Sequence, residues 1–347
     1  MSLLTSLISH QIWLQRTASG EVKDLAPFIQ EMRDEIKRQV LLFGDDGRST
    51  ARLNKMLRDL EEALAGLTVD WQTKLTEDLK ELATYEAEWN VKTLTTNVNA
   101  EFITPTAEQV WAAAEFQPLS LSDKPVDFTK LMDGWGETEV SRLVTGVKMG
   151  FVQGQTTRQI VKNVVGAGGL ADISERNAAT VIRTALSHVS NEARNETYRQ
   201  NDDIIEKYEW VSTLDSRTST ICRARDGMTW EIGKGPMPPA HPNCRSTTAP
   251  VISSEFDFLD KGAKRAAKGA DGGTQVSADT TYYEFLKQQP AWFQDQALGP
   301  VRGKIFRNSG ISPEEFRVIS VDGFGNPLTL KQMAELDKRV ADYLKGE

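Results

Sequence analysis

Both cysteines of the chain, Cys222 and Cys244, fall inside one stretch, Trp210–Pro250, with His241, one of only three histidines. Four prolines, Pro236, Pro238, Pro239 and Pro242, crowd the approach to Cys244. Each fixes its own φ and pushes the residue before it toward extended backbone. The segment is therefore barred from helix and from a central strand, and has to be a stiff loop that presents His241 and Cys244. Around it, Tyr208 to Val211, Met228 to Ile232 and Thr247 to Ile252 have β character, and Asp226-Gly227 is a hairpin-type turn signal. The spacing predicts a small antiparallel unit set among helices.

Upstream, apolar residues recur at helical spacing. Leu25, Phe28, Ile29, Met32, Ile36, Val40 and Phe43 make one run, stopped by Gly44 and Asp45-Asp46-Gly47. Leu53 to Leu67 makes a second run, and Trp71 to Trp89 a third. Charged residues fill the other faces, so each stripe needs a covering partner. The region reads as an antiparallel bundle, or as an arm that docks on another protein, for which Trp13, Trp71 and Trp89 would suit an interface. Thr106 with Gln109, and Thr156 with Gln159, are capping boxes. Val140 to Phe151 marks a helix ending near Gly154, and glycines 166, 168 and 169 lead to a long helix, about Ile173 to Gln200. On it, His188 is expected as a hydrogen-bonded structural histidine and Arg183 as an ion-pairing or loop-pinning residue.

Zinc takes four Cys or His ligands, often in two close pairs. His241 and Cys244 supply one pair, but Cys222 stands alone, with Ser219 where a second cysteine of a C-x2-C pair would sit. Asp215 or Asp226 is a candidate fourth ligand. The set Cys222, His241, Cys244 is thus a metal candidate short of closure, for which substoichiometric zinc is expected. A Cys222–Cys244 pairing and two buried thiols are the alternatives, and Cys–His spacing alone is no evidence for a nucleophile. Asp215, Arg217, His241, Asn243 and Arg245 are placed to cross-brace a sheet too poor in apolar residues to hold itself.

The run Trp210, Asp215-x-Arg217-Thr218, Cys222, Asp226-Gly227, Pro239-x-His241-Pro242-Asn243-Cys244-Arg245, Pro250 resembles the Mu F-like head morphogenesis (minor head protein) family of tailed bacteriophages. That pattern is a Trp, then D-x-R-T-C-x-x-C, a D-G turn and P-P-x-H-P-x-C-R. The resemblance covers roughly Glu137 to Ile252, and departs at Ser219, in place of a cysteine, and at Ala185, where a glutamate often follows Arg-Thr. It implies a low-copy virion component, made in the host cytoplasm and located in the capsid interior or at the portal vertex. The implied partners are the portal protein, the scaffold or the major capsid protein. No catalytic duty is implied. F-like domains also occur joined to toxin domains, so an ADP-ribosyl transferase or hydrolase type module is the alternative.

Downstream, Lys261 to Lys268 is a basic run followed by GADGGTQVSADT, which together read as a flexible linker. Lys261, Lys264, Arg265 and Lys268 are candidate contacts for packaged DNA. Thr281 with Glu284, and Ser312-Pro313 with Glu315, start further helices; Val318 to Val321 resembles a short strand, and Thr329 with Gln332 caps one last helix through Leu344.

The expected fold class is mainly α with a small antiparallel β unit (α+β): an N-terminal helical bundle or arm (1–105), the F-like domain (106–253), a linker (254–280) and a small C-terminal helical piece (281–347). A net charge of −8 argues against a whole-surface field for nucleic acid and leaves room only for local basic patches. Two cysteines in 347 residues do not make an extracellular disulfide scaffold. The start, MSLLTSLISHQIWLQR, lacks a basic leader region, and no apolar run is long enough to span a membrane. The composition points to a soluble chain folded in a reducing cytoplasm.

Overall fold

The computed structural model describes residues 2–45, 49–121, 124–252 and 262–346. Helix α1 (Leu3–Asp24) opens on a Ser2 cap whose Oγ accepts from the Thr5 amide at 3.3 Å. Leu3, Leu7, Leu14 and Ala18 line its buried face, with His10 and Gln11 among them. These polar interruptions hid the helix from a periodicity search. Helix α2 (Ala26–Phe43) carries a proline in its first turn, where no amide is needed, and stops at Gly44, whose φ is +73°.

Helix α3 (Thr50–Val98) runs for 49 residues. The apolar runs 53–67 and 71–89, which looked like two helices, are one, because nothing between them breaks the backbone ladder. It ends at Asn99 in the left-handed conformation. Helix α4 (Ala107–Phe116), the short strands β1 (Leu119–Leu121) and β2 (Lys124–Val126), and helices α5 (Phe128–Val152), α6 (Thr157–Val165) and α7 (Leu170–Arg199) follow. Both expected capping boxes form, at α4 and α6.

Helix α7 is buried on nearly every side from Ala178 to Tyr198, because α1, α3, α4 and α5 pack around it. One apolar core runs without a break through Met32, Leu60, Trp71, Trp135, Leu143, Ile160, Ile182 and Leu186. Each such large side chain contributes about 1.5–3 kcal/mol by leaving water. The apolar core therefore runs across the expected 105/106 division and joins α1, α2 and α3 to the helices from α4 to α7. Trp71 is spent in this core against Trp135, with ring centres 4.4 Å apart.

Strands β3 (Ile205–Val211), β4 (Thr229–Glu231) and β5 (Thr247–Ile252) form an antiparallel sheet in the order β4-β3-β5, with Tyr208 opposite both Trp230 and Pro250. Asp226-Gly227 does not join two strands. It ends a short helix, α8 (Thr220–Arg225), inserted between β3 and β4, and Gly227 (φ +78°) donates its amide to Trp210 O at 2.9 Å.

The segment expected to be a flexible linker contains a hairpin, β6 (Lys264–Gly269) and β7 (Gly272–Ser277). Arg265 and Ala267 point inward while Lys264, Ala266 and Lys268 face solvent. The inner face is small or charged, so the alternation does not register as hydrophobic. The hairpin is held by Leu214, which bridges Ala267 and accepts from the Lys268 amide at 2.8 Å. Residues 254–261, the rest of that expected linker, lie outside the described residues.

The C-terminal piece comprises α9 (Tyr282–Lys287), α10 (Ala291–Leu298), α11 (Pro300–Asn308), α12 (Pro313–Ser320), α13 (Leu330–Leu336) and α14 (Lys338–Gly346). Tyr282, Tyr283, Phe285, Phe306, Phe316 and Met333 form its core, which also takes in Leu214 and Ala267. Residues 318–320 are the end of α12 and not a strand; only Val321 makes a bridge, to Pro327. The expected single last helix is broken at Asp337, whose carboxylate accepts from the Arg339 amide at 2.8 Å and starts α14. Among the described residues, no helix is long and apolar enough to cross a membrane.

Candidate metal centre and the clefts beside it

The sheet sets the site through Trp210. The ring is buried beneath the sheet, and its Nε1 donates to Ser212 Oγ at 3.0 Å. That hydroxyl in turn donates to the carbonyl of Cys222 at 2.7 Å. Asp226 fixes the same corner by accepting from the Ser212 amide at 2.7 Å. Cys222 therefore rides on a short helix whose middle and C-terminal cap are both tied to Ser212, the residue after β3. Ser219 caps that helix, its Oγ accepting from the Cys222 amide at 3.4 Å.

The proline loop is pinned from the other side by α7. Asn243 sits in the left-handed region at φ +58°. Its amide donates to Thr184 Oγ1 at 3.1 Å, and its Nδ2 to Thr180 Oγ1 at 3.2 Å. A turn from His241 O to the Cys244 amide, 3.1 Å, then aims both side chains inward.

Three ligand atoms converge. Cys222 Sγ lies 3.6 Å from Cys244 Sγ and 3.3 Å from His241 Nε2, and all three lie within 4.8 Å of one another. The two cysteines are free, as a bond between them would require about 2.05 Å. His241 Nδ1 lies 2.9 Å from Pro242 O and donates to it, which leaves the Nε2 lone pair facing the sulfurs. Tetrahedral zinc with ordinary Zn–S and Zn–N lengths would separate two sulfurs by about 3.8 Å, and sulfur from nitrogen by about 3.6 Å. The residues present fit zinc as a three-ligand set.

Protonation follows the same geometry. The hydrogen bond to Cys244, then burial, hold the Cys222 thiol well above its ordinary value. That bond and the adjacent His241 hold Cys244 well below its own. Burial opposes charge on His241, yet the Cys244 sulfur and the Pro242 carbonyl raise its pKa. The thiols are 1% and 2% exposed. With both sulfurs this deeply buried beside the imidazole, the arrangement suits holding an ion.

Neither aspartate is a fourth ligand. Asp215 takes both terminal nitrogens of Arg245, at 2.6 and 2.8 Å, together with the Arg217 amide at 2.9 Å and the Thr218 hydroxyl at 3.2 Å. Asp226 takes Arg265. The Arg217 side chain is exposed, with Nε 3.9 Å from Asp215 Oδ2. Pro239 follows Pro238 through a cis peptide bond.

His188 is buried and bonds the carbonyl of Ala114 at 2.7 Å; burial lowers its pKa to about 4. Arg183 is exposed and pins no loop among the described residues. Of the candidate DNA contacts, Lys264 and Lys268 are exposed, Arg265 is buried in an ion pair and so is withdrawn from any DNA surface, and Lys261 lies outside the described residues. Sequence reading missed Thr180 and Thr184, one turn apart on α7, which position the metal loop; a threonine pair on a buried helix gives no signal until its loop is known.

Two clefts flank His241 and Arg217. One, about 540 Å³, opens between α1, α7 and the proline loop; the other, about 440 Å³, lies between α8 and the C-terminal helices.

No curated protein and no solved structure matches the chain. The family model described as Phage Mu protein F like protein matches residues 141–249, from within α5 to within β5, a span that holds Cys222, His241 and Cys244 with the braces around them. Residues 141–249 are thus a Mu F-like region.

Proposed function

We propose that this protein is a minor head protein of a tailed phage, held in the capsid interior or at the portal vertex by contact with the portal, scaffold or major capsid protein, and delivered with the DNA. The family is one of phage head morphogenesis, and the finer role rests on how the site is built. The observation that carries it is the Cys222–His241–Cys244 centre with its two buried thiols. Its donors come from α8 and the proline loop, and its braces reach α7 through Asn243, the hairpin through Asp226 and Arg265, and α9 through Tyr282, whose hydroxyl donates to Asp215 O at 2.8 Å. The centre thereby fastens the helical body, the sheet and the C-terminal helices to one another. When bound, zinc would supply three strong bonds that lock these elements. A part that has to keep its shape during assembly and packaging is served by such a tie.

Mass spectrometry of purified particles, with co-sedimentation against the isolated portal ring, tests this reading. The expected result is a few copies per particle and sedimentation with the ring. A protein missing from particles that binds neither portal, scaffold nor major capsid protein sinks it. Turnover of NAD or a peptide that disappears in His241→Ala would support the enzymatic alternative instead.

A further inference from the structure

The cleft of about 540 Å³ beside His241 has a polar wall with no acidic residue on it, in a chain whose net charge is −8. Arg183, Arg217 and Arg245 all line it. Arg245 is committed to Asp215. Arg183 makes no hydrogen bond or ion pair among the described residues, and Arg217 reaches Asp215 only at 3.9 Å. Two guanidinium groups thus stand over a concave wall with donors to spare.

Two buried polar groups on the same wall are also unpartnered. Ser187, 8% exposed, has no hydrogen-bond partner for Oγ. Gln11, 8% exposed, donates Nε2 to Arg245 O at 3.3 Å, which fixes the amide orientation and leaves Oε1 without a partner. A buried polar atom without a partner costs about 1–3 kcal/mol unless something satisfies it. Ser187 can donate to an anion, whereas Gln11 Oε1 needs a donor. A second cleft, about 360 Å³, adjoins the first across Gln11, Arg217 and Arg245. Its wall carries Ile8, Ile12 and Leu214, and its one carboxylate, Asp215, is neutralised by Arg245.

We infer that these joined clefts bind a nucleotide-sized phosphate ester. Its phosphate lies on Arg183, Arg217 and the Ser187 hydroxyl, a hydroxyl or amino group donates to Gln11 Oε1, and its apolar body faces Ile8 and Ile12. Guanidinium forks match phosphate oxygens in pairs. The volume falls in the range of small-molecule sites, and the apolar half suits a base where a bare phosphate would leave it empty. The source is either a free nucleotide or the phosphorylated end of a nucleic-acid strand.

Calorimetric titration of the full chain tests the site, with deoxyadenosine monophosphate, deoxyadenosine, inorganic phosphate and an oligonucleotide with or without a 5′-phosphate. The nucleotide should bind at least about tenfold more tightly than the nucleoside, and Arg183→Ala and Arg217→Ala should each weaken it about tenfold. Both side chains are exposed, so these variants should keep the wild-type melting temperature. Ser187→Ala should weaken binding several-fold. Binding by the free nucleotide alone, or equally by the 5′-phosphorylated strand, supports the site and tells the two sources apart. The inference is overturned if no phosphate probe binds at millimolar concentration, if the nucleoside binds as well as the nucleotide, if the arginine variants leave affinity unchanged, or if a glutamate-rich peptide binds there more tightly than every phosphate probe.

Discussion

Arg265 sets both terminal nitrogens of its guanidinium on the carboxylate of Asp226, 39 residues earlier, at 3.0 and 3.1 Å. The same guanidinium donates to Ser212 O at 2.6 Å and to Thr280 O at 3.1 Å. Both side chains are buried. This pair clamps the β6–β7 hairpin to the turn after α8, and through Ser212 to the corner that carries Cys222.

Asp226→Ala should therefore destabilise the protein by about 3–5 kcal/mol, because it strands a buried guanidinium. Replacing both partners with leucine should cost less than that single change, because no buried charge then remains. Urea unfolding of the three proteins measures both. A loss below about 1 kcal/mol in Asp226→Ala would match an exposed pair and contradict the clamp.

Zinc should stabilise the chain beyond what sequence spacing suggested. With one site and free metal at a thousand times the dissociation constant, folding gains about 4 kcal/mol. Cys222→Ser, His241→Ala and Cys244→Ser should each lose that increment, whereas Asp215→Asn should keep it, since Asp215 faces Arg245 and not the sulfurs. Metal content by mass spectrometry and melting with and without chelator decide it. A chain that melts identically in zinc and in chelator has no such centre.

Two buried groups on α7 give stability opposite slopes with pH. Burial raises the Glu192 carboxyl to about 7. Below the unfolded value, about 4.5, both states hold that proton; as pH rises toward 7 the unfolded state releases it first, so stability falls. His188, lowered to about 4 by burial, acts the other way. Its unfolded ring takes a proton below about 6.5, so stability is lost as pH falls from 6.5 to 4. Between 4.5 and 6.5 the two oppose each other. Glu192→Gln should remove the falling limb, leaving a protein up to about 3 kcal/mol more stable than wild type at pH 8 and equal to it near pH 4. Denaturant titrations at pH 4, 6 and 8 read this; an equal gain at every pH would place the effect in packing instead.

The attachment of α1 depends on a buried polar cluster. Glu86 accepts from the Ser190 hydroxyl at 2.8 Å, pairs with His10 at 2.5 Å, and lies 3.7 Å from Arg194. His10 is also stacked on Trp89, with centroids 3.6 Å apart. Glu86→Ala should cost about 3–5 kcal/mol, and amide exchange should accelerate first in residues 3–24. Uniform acceleration along the chain would show that the cluster holds the whole body and not α1 in particular.

Local chemistry was legible wherever neighbours in sequence decide it. The capping boxes at Thr106, Thr156, Thr281, Ser312 and Thr329 form as spaced, since hydroxyl and amide partners lie within one turn. Strand β5, the long helix α7 and the mainly α character follow from periodicity. The break at Asp337 was missed because the apolar stripe continues across it, while the cap that interrupts the helix is made by one carboxylate. Strand β6 was missed because its inward residues, Arg265 and Ala267, are not an apolar pair.

By itself, the sequence determined a proline-stiffened loop bearing His241 and Cys244, a sheet around it and amphipathic helices before it, because those depend on backbone restriction and on the period of apolar residues. The tertiary structure alone decided that Cys222 meets that pair at 3.3 and 3.6 Å, that Asp215 and Asp226 serve arginines and not a metal, and that Gln11 and Ser187 share a wall with Arg183. Each of these joins residues far apart in the chain, and a charge or a thiol carries no local mark of the partner that burial will give it.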